Sequence, residues 1–177
     1  MLKPYIYTCL LGTIITVFAN DGLNTVIGLV TDRTPPTFIQ PVGSASNPNG
    51  TVSYVVNMGS NSVSVIDPKT NAVIGTITDT IFYPSRMIIN GTNGYVINFF
   101  GNTISVVDIT NNLVTGVITD TSFNQPSDLA ITGTTGYVPN NYGNSVSIVN
   151  LTNNTIIGLV SDPNSTFNYP NSIAIYG

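Results

Sequence analysis

Few side chains in this sequence could carry out acid–base or nucleophilic chemistry. All eight acidic residues are Asp, only four residues are Lys or Arg, and there is no His. Without an imidazole or a plausible Lys base, the Ser and Thr hydroxyls lack the group that usually activates them. Four cations and a net charge of −4 also speak against a nucleic-acid partner. We therefore expect no enzyme activity, no catalytic residue, no cofactor and no metal.

Four Asp residues follow apolar segments of similar sequence, and we treat them as candidates for one binding face: Asp32, Asp79, Asp120 and Asp162. A ring of carboxylates could hold Ca²⁺ or a cationic group. A Ca²⁺ site needs about 6–8 oxygen ligands, however, and neither an EF-hand nor a nonapeptide Ca²⁺ pattern occurs. Each Asp more simply caps its own turn by accepting backbone N–H bonds, which is what we expect.

The chain is built from one repeated unit. A segment of the form Tyr-Val-x-x recurs with Tyr54, Tyr95 and Tyr137 at a period of about 40–45 residues. Three further segments follow it in fixed order, beginning at Asn61, Asn71 and Pro84 in the first copy. The predicted propeller repeats cover residues 24–52, 53–93, 94–135 and 136–177.

Each repeated segment has the character of a β-strand. Apolar and hydroxyl residues alternate in Ser62–Val65, which places the two Val side chains on one face. The links between segments are short and rich in Gly and Asn, so neighbouring strands are antiparallel and each unit is a four-stranded meander. Such units at this period indicate an all-β fold of β-propeller blades, whose strands we label A to D from the inside outward.

The motif order in Tyr54–Ile77 resembles the YVTN-type β-propeller repeat family, and the similarity extends over about residues 24–175. The resemblance implies that the Pro-initiated strand is innermost and the Gly-containing strand outermost. It also implies an exported or surface-layer-like protein, but no single chemistry. The stretch from Pro41 to Tyr54 departs from the pattern, because it is longer and lacks a clear Pro-x-x-Ile-x-Ile strand.

The strand count leaves the ring of blades incomplete. A first D strand at 24–30 and a last A strand at 172–175 flank three complete blades, whereas propellers have about 4–8 blades. Three explanations remain open: a piece of a longer propeller, an open arc, or a protomer that completes a ring with a second copy. Open strand edges invite strand addition, so we expect a homo-oligomer if the chain is the whole protein.

One face of the blades is predicted to be aromatic. The B–C and D–A links share this face in an up-and-down meander. The B–C links carry Met58, Phe99, Phe100 and Tyr142, which with the four Asp make up the candidate binding face. The D–A links carry Phe82, Tyr83, Phe123, Phe167 and Tyr169. Exposed aromatic residues suit a protein or glycan partner, and the alternative is that the D–A aromatics fill the gaps between blades.

The N-terminus has the pattern of a secretory signal peptide. Lys3 precedes an apolar run from Tyr5 to Ala19, and small residues surround a cleavage site that we place after Ala19. This divides the chain into a cleaved signal, 1–19, and a repeat domain, 20–177. The run is shorter than the roughly 20 residues of a membrane span, so no stable membrane anchor is expected after cleavage. Cleavage would remove Cys9, the sole Cys, and leave no disulfide.

These observations predict an exported, non-enzymatic propeller repeat protein that acts as a binding or scaffold module and self-associates through open blade edges. We expect it to be secreted, periplasmic or at the cell surface. The alternative is a fragment or subunit of a larger propeller enzyme, such as an oxidoreductase-like relative, whose catalytic residues lie elsewhere.

Overall fold

A computed structural model of the chain describes the strands at 5–8, 13–17 and 28–31 and the segments 38–161 and 167–176. All regular structure in these residues is β-strand. Within the same residues, no helix of the length and hydrophobicity needed to cross a membrane is found.

The described strands number fifteen. They are β1 (Tyr5–Thr8), β2 (Thr13–Val17), β3 (Gly28–Thr31), β4 (Pro41–Ser46), β5 (Ser53–Asn57), β6 (Ser62–Asp67), β7 (Ala72–Ile77), β8 (Pro84–Asn90), β9 (Asn93–Asn98), β10 (Thr103–Asp108), β11 (Leu113–Thr119), β12 (Ala130–Thr132), β13 (Thr135–Asn140), β14 (Ser145–Asn150) and β15 (Thr155–Ser161).

The strands form antiparallel sheets in simple sequence order. Strands β4–β7 form blade 1, β8–β11 form blade 2 and β12–β15 form blade 3, while β1–β3 form a three-stranded N-terminal sheet. The prediction of an all-β fold with three complete four-stranded blades is therefore confirmed, and in the described residues the sheets do not close into a ring.

A recurring Gly marks an irregularity in each outer strand. Gly75, Gly116 and Gly158 lie opposite the middle of the C strand, and the pairing register shifts immediately beside each of them. A β-bulge bends its strand and increases the local twist, and Gly tolerates this geometry. The glycines are therefore part of the blade architecture.

The inner strand of blade 1 is formed as regularly as that of blade 2, although its sequence pattern is weak. Strand β4 pairs with β5 from Pro41↔Asn57 onward, as Pro84 pairs with Asn98 in blade 2. Its weak pattern has a packing reason. A Cβ at Gly43 would lie 3.2 Å from the carbonyl oxygen of Ser85, so β4 approaches the neighbouring blade too closely for most side chains.

The two ends of the chain differ from the expected strands. The first D strand is described as β3, and residues 24–27 of the predicted segment lie outside the described residues. Strands β1 and β2 occupy the predicted signal segment, although cleavage of that segment stays a prediction. The last A strand at 172–175 is not formed, because in the described residues no B strand pairs with it.

The hydrophobic core lies between blades. Tyr54 and Val65 of blade 1 are buried in one cluster with Met87 and Val96 of blade 2. A second cluster joins Ile97 and Ile104 of blade 2 to Val138 and Val149 of blade 3. Since each blade buries its faces only against its neighbours, an added blade extends the same kind of core.

Buried Asn side chains add a repeated polar contact to this core. Asn98 is fully buried, and its Nδ2 lies 2.9 Å from Thr103 Oγ1 and 2.9 Å from Ser105 Oγ. Ser105 Oγ also donates to the carbonyl oxygen of Thr80 at 2.9 Å. The network holds the D–A link against the blade that follows, which explains why Asn ends each B strand.

Candidate binding surface

The B–C and D–A links meet on one face, as predicted. The backbone N–H of Phe99 donates to the carbonyl oxygen of Tyr83 at 3.1 Å, and Asn141 makes the same bond to Gln125 at 2.9 Å. Met58 bonds to Gln40 at 3.0 Å in blade 1. Backbone hydrogen bonds therefore join the two kinds of link in every blade.

Each D–A link ends in the same short conformation before its Pro. The first residue is buried at Phe38, Ile81 and Phe123 and half-buried at Phe167. Ile81 and Phe123 belong to the clusters between blades, and Phe38 packs against Val55 and Ile66 of blade 1. The residue two positions later has a left-handed backbone. These residues are Gln40, Tyr83, Gln125 and Tyr169, with φ near +50°. The link thus alternates between a side chain that fills the gap and side chains that face outward.

This pattern divides the aromatic residues of the D–A links into two groups. Phe123 fills the gap between blades, in agreement with the packing alternative. In contrast, Phe82, Tyr83 and Tyr169 are 51%, 42% and 55% exposed. The exposed positions are therefore available to a partner.

Four aromatic side chains form one exposed cluster at blade 2, which we call the aromatic cluster. It consists of Phe82, Tyr83, Phe99 and Phe100. Successive ring centroids are 5.0, 5.5 and 4.9 Å apart, and the rings meet edge to face, which is a favourable aromatic geometry. Phe100 is 52% exposed, and Phe99 is half-buried.

A second aromatic contact lies at blade 3. The rings of Tyr142 and Tyr169 are 5.3 Å apart, and both are largely exposed; we call them the tyrosine pair. Met58 occupies the position of blade 1 that corresponds to Phe99 and is half-buried. The structure thus brings Phe99 and Phe100 together with two D–A residues and places Tyr142 in a separate pair.

The four Asp candidates differ from one another. Asp120 accepts a backbone N–H bond from Ser122 at 2.8 Å, and its pKa is lowered chiefly by this bond. Asp79 is exposed, whereas Asp32 and Asp162 lie outside the described residues. Among the described residues, no three His, Cys, Asp or Glu side chains lie together as a metal site would require.

The same turn geometry recurs at the C–D links on the opposite face. Asp67 Oδ1 accepts from the N–H of Lys69 and Asp108 Oδ1 from the N–H of Thr110, both at 2.8 Å. These bonds are the largest cause of the lowered pKa of each carboxyl group. Asn150 replaces Asp at the third turn and accepts from Thr152 at 2.9 Å.

One charged pair was not predicted as a site. Arg86 Nη1, on β8, lies 2.9 Å from Oδ1 of Asp128, which precedes β12, and the Asp128 side chain is only 6% exposed. The two residues occupy equivalent positions, two residues after Pro84 and Pro126. The sequence did contain a signal for this pair, because two successive repeats carry opposite charges at the same position.

Solved structures similar to this chain are propeller-like. Kuenenia stuttgartiensis hydrazine synthase aligns with 84% of this chain and 43% of its own, with a TM-score of 0.71 and 24% identity. The RRP9 WD40 repeats align with 75% of this chain and 41% of theirs, at a TM-score of 0.64 and 11% identity. A protein of unknown function from Desulfotomaculum acetoxidans DSM 771 covers 90% of this chain and 51% of its own, with a TM-score of 0.70 and 15% identity. The blades and these neighbours define the chain as a β-propeller-like repeat protein.

Sequence comparison adds one short match. A segment of 49 residues is 57% identical to the PE-PGRS family protein PE_PGRS18 of Mycobacterium tuberculosis (strain ATCC 25618 / H37Rv), covering 28% of this chain and 10% of that protein. No protein-family model matches the chain. The chain spans a tenth of this curated relative and about half or less of the similar solved chains.

Proposed function

We propose that this protein is a non-enzymatic β-propeller module that binds a protein or glycan partner through the aromatic cluster and the tyrosine pair. The observation that carries the proposal is the exposure of Phe82, Tyr83 and Phe100 in one edge-to-face cluster. Aromatic side chains supply large contact areas with few rotatable bonds, and exposed clusters of them mark interaction surfaces.

The scaffold supports this role because it holds the rings in place before a partner arrives. Asn61 Oδ1 accepts the backbone N–H of Tyr83 at 2.7 Å, and Asn144 Oδ1 accepts that of Tyr169 at 2.9 Å. A surface that is ordered in the free protein loses less conformational entropy on binding, which strengthens the complex.

A non-enzymatic role agrees with how the carboxylates are used. Asp67, Asp108 and Asp120 cap turns, and the causes of their lowered pKa are hydrogen bonds that favour the charged form. The alternative of a fragment or subunit of a larger propeller enzyme has no such observation in its favour. The likeness to hydrazine synthase, at 24% identity, carries the fold alone.

Export and surface location belong to the same proposal. The resemblance to YVTN-type repeats and the apolar segment from Tyr5 to Ala19 support it. Cleavage after Ala19 would remove β1 and β2, so cleavage and an intact N-terminal sheet exclude each other in one molecule. Intact mass and N-terminal sequencing of the exported protein test this: a start at Asn20 supports the signal, and a retained segment 1–19 contradicts it.

Self-association is a second candidate function, favoured by the N-terminal sheet. The pairing Thr16↔Gly28 in this sheet matches Val106↔Gly116 in blade 2, so β1, β2 and β3 correspond to strands B, C and D. No A strand is described beside β1. At the other end of the arc, Pro170, Ser172 and Ile173 hydrogen-bond to Ser127 and Asp128, so segment 170–175 lies next to blade 3 on the side of its inner strand.

In this second candidate, which requires that segment 1–19 be retained, segment 170–175 of one copy adds to β1 of another copy and completes its blade. Light scattering of the full chain tests the idea. We expect a mass above that of one chain, and a return to one chain in an Ala174→Pro variant, whose backbone lacks the N–H needed for pairing. A single-chain mass of the unaltered protein across micromolar concentrations contradicts it.

The principal proposal is tested by screening the full chain against a glycan array and a peptide library. We expect at least one glycan or peptide class to bind reproducibly and to compete with itself when free in solution. Absence of any competed binder in both screens would contradict the proposed role.

A further inference from the structure

One position near the start of the inner strand carries a different residue in every repeat, although the Pro two residues before it is the same in all four. The position lies two residues after Pro41, Pro84, Pro126 and Pro170 and is occupied by Gly43, Arg86, Asp128 and Ser172. Register confirms the equivalence in blades 1 and 2, because Gly43 pairs with Val56 and Arg86 pairs with Ile97. At Gly43 the close approach to Ser85 leaves little room for a side chain, whereas the side chains of Arg86, Asp128 and Ser172 line the space inside the inner strands.

The carboxylate of Asp128 already has a hydrogen-bond or ion-pair partner for each of its acceptor sites. Asp128 Oδ1 accepts the N–H of Leu129 at 2.9 Å and faces Arg86 Nη1 at 2.9 Å. Its Oδ2 accepts from Ser172 Oγ at 2.7 Å and from the N–H of Ile173 at 3.3 Å. A carboxylate has about four acceptor sites. Asp128 therefore holds Arg86 in place and has little capacity left for a ligand.

Arg86 has capacity to spare. Its guanidinium carries five N–H donors in a planar fork, and the ion pair to Asp128 involves Nη1. The side chain remains 47% exposed even though its partner is buried. An Arg that is fixed on one side and open on the other is oriented to bind a second carboxylate.

A cavity of about 560 Å³ lies in front of this side chain. Residues 42–44 of β4 line one side, Arg86 and Ile88 line the middle, and Asp128 and Ser172 line the other side. The volume falls within the range of small-molecule sites. Among the described residues the cationic side chains are Arg86 and Lys69, and Lys69 lies in a C–D turn away from the cavity.

We propose that this inner cavity binds a small ligand with one carboxylate group and that Arg86 is its anchor. Ser44 and Ser172 line the cavity on either side and supply hydroxyl groups for the remainder of the ligand. An acidic sugar and an acylated amino acid share this chemistry. The site is separate from the aromatic cluster, so this proposal does not depend on the function proposed above.

Amide NMR titration of the full chain tests the proposal with two carboxylate probes, galacturonate and N-acetylalanine. Galactose and N-acetylalanine amide serve as their neutral counterparts. We expect one or both acids to shift the Arg86 side-chain N–H signal and the Ser44 and Ser172 amides, and the neutral compounds to leave them in place. Which acid binds more tightly identifies the ligand source.

Variants at position 86 show whether the guanidinium group of Arg86 binds the carboxylate. We expect Arg86→Gln to weaken binding about tenfold or more, Arg86→Lys to weaken it less, and Lys69→Gln to leave it unchanged. Because Arg86→Gln leaves Asp128 without its ion pair, an Arg86→Gln, Asp128→Asn double variant keeps the test valid if the single variant unfolds. Equal binding of acid and neutral probes, no shift by either acid, or full binding in the folded Arg86→Gln variant would overturn the proposal.

Discussion

Asn61 Oδ1 accepts a 2.7 Å hydrogen bond from the backbone N–H of Tyr83, and both residues have a left-handed backbone, with φ of 50° and 47°. The relationship recurs between Asn102 and Gln125 at 2.7 Å. A B–C turn thus fixes the link that leads into the next blade. The exposed aromatic ring of Tyr83 owes its position to this bond.

Replacing Asn61 separates the hydrogen bond from the backbone conformation. Asn61→Asp keeps an acceptor and tolerates left-handed φ, so the free energy of unfolding should change by less than about 0.5 kcal/mol. Asn61→Gly keeps the conformation but loses the acceptor, and should cost about 1 kcal/mol. Asn61→Ala loses both and should cost about 2 kcal/mol. Urea denaturation measures the series, and equal stability of the Gly and Asp variants would contradict the role of the bond.

Acid should destabilise the blades through the turn carboxylates. The pKa values of Asp67 and Asp108 are lowered in the folded chain, chiefly by the backbone N–H groups of Lys69 and Thr110. Their contribution to stability is therefore complete above the unfolded pKa of about 3.9 and is lost as the pH falls through the lower folded pKa.

Thermal unfolding at pH 7 and at pH values below about 4 measures this effect. Asn150 shows that an amide fits the same turn, so Asp67→Asn and Asp108→Asn together preserve the bonds from the backbone N–H groups and remove the titration. The bonds that Oδ2 accepts from Thr70 Oγ1 and Asn111 Nδ2 are lost, which lowers stability equally at both pH values. We expect this double variant to lose less melting temperature on acidification than the unaltered chain. An unchanged acid response would show that other groups are responsible.

Asp128 should control the order of the segment that follows blade 3. Its Oδ2 accepts from Ser172 Oγ and from the N–H of Ile173. In Asp128→Ala we expect the Ile173 amide to exchange about tenfold faster or more, with little change in the blade cores. Arg86→Gln is the matched control, because it removes the ion pair and keeps these two bonds. Unchanged exchange at Ile173 in Asp128→Ala would refute the assignment.

The repeat units carried most of the information about the fold. Alternation in Ser62–Val65 and the short polar links predicted the B, C and D strands because each has a partner within its own unit. Strand β4 had a weaker pattern, since Gly43 reflects close approach to blade 2 and not burial of an apolar side chain. Segment 172–175 has the inner-strand pattern, but a pattern forms a strand only when a partner is present.

The candidate surfaces, like the strands, were predictable from the sequence only in part. Phe99 and Phe100 could be placed on one face from sequence because strand order fixes where the links lie. Their contact with Tyr83 depends on the left-handed turn, which no local sequence pattern predicted. Arg86 and Asp128 occupy the same position of two successive repeats, which indicates proximity, but their contact depends on how closely the adjacent blades pack.

The most direct test of the proposed binding role uses replacements that the other repeats already carry. Phe82→Asn and Tyr83→Gln introduce the residues found at Asn124 and Gln125, so the turn is preserved while the aromatic cluster is lost. The control, Leu113→Ala with Ile157→Thr, removes two exposed apolar side chains of outer strands, 63% and 59% exposed, in the same repeat-compatible manner.

Calorimetric titration with the glycan or peptide recovered from the screens compares these two double variants with the unaltered chain. We predict that the aromatic variant binds about 100-fold more weakly or not measurably, because exposed aromatic anchors dominate such interfaces, and that the control binds as the unaltered chain does. Full binding by the folded aromatic variant, or an equal loss in the control, would contradict the assignment of this surface.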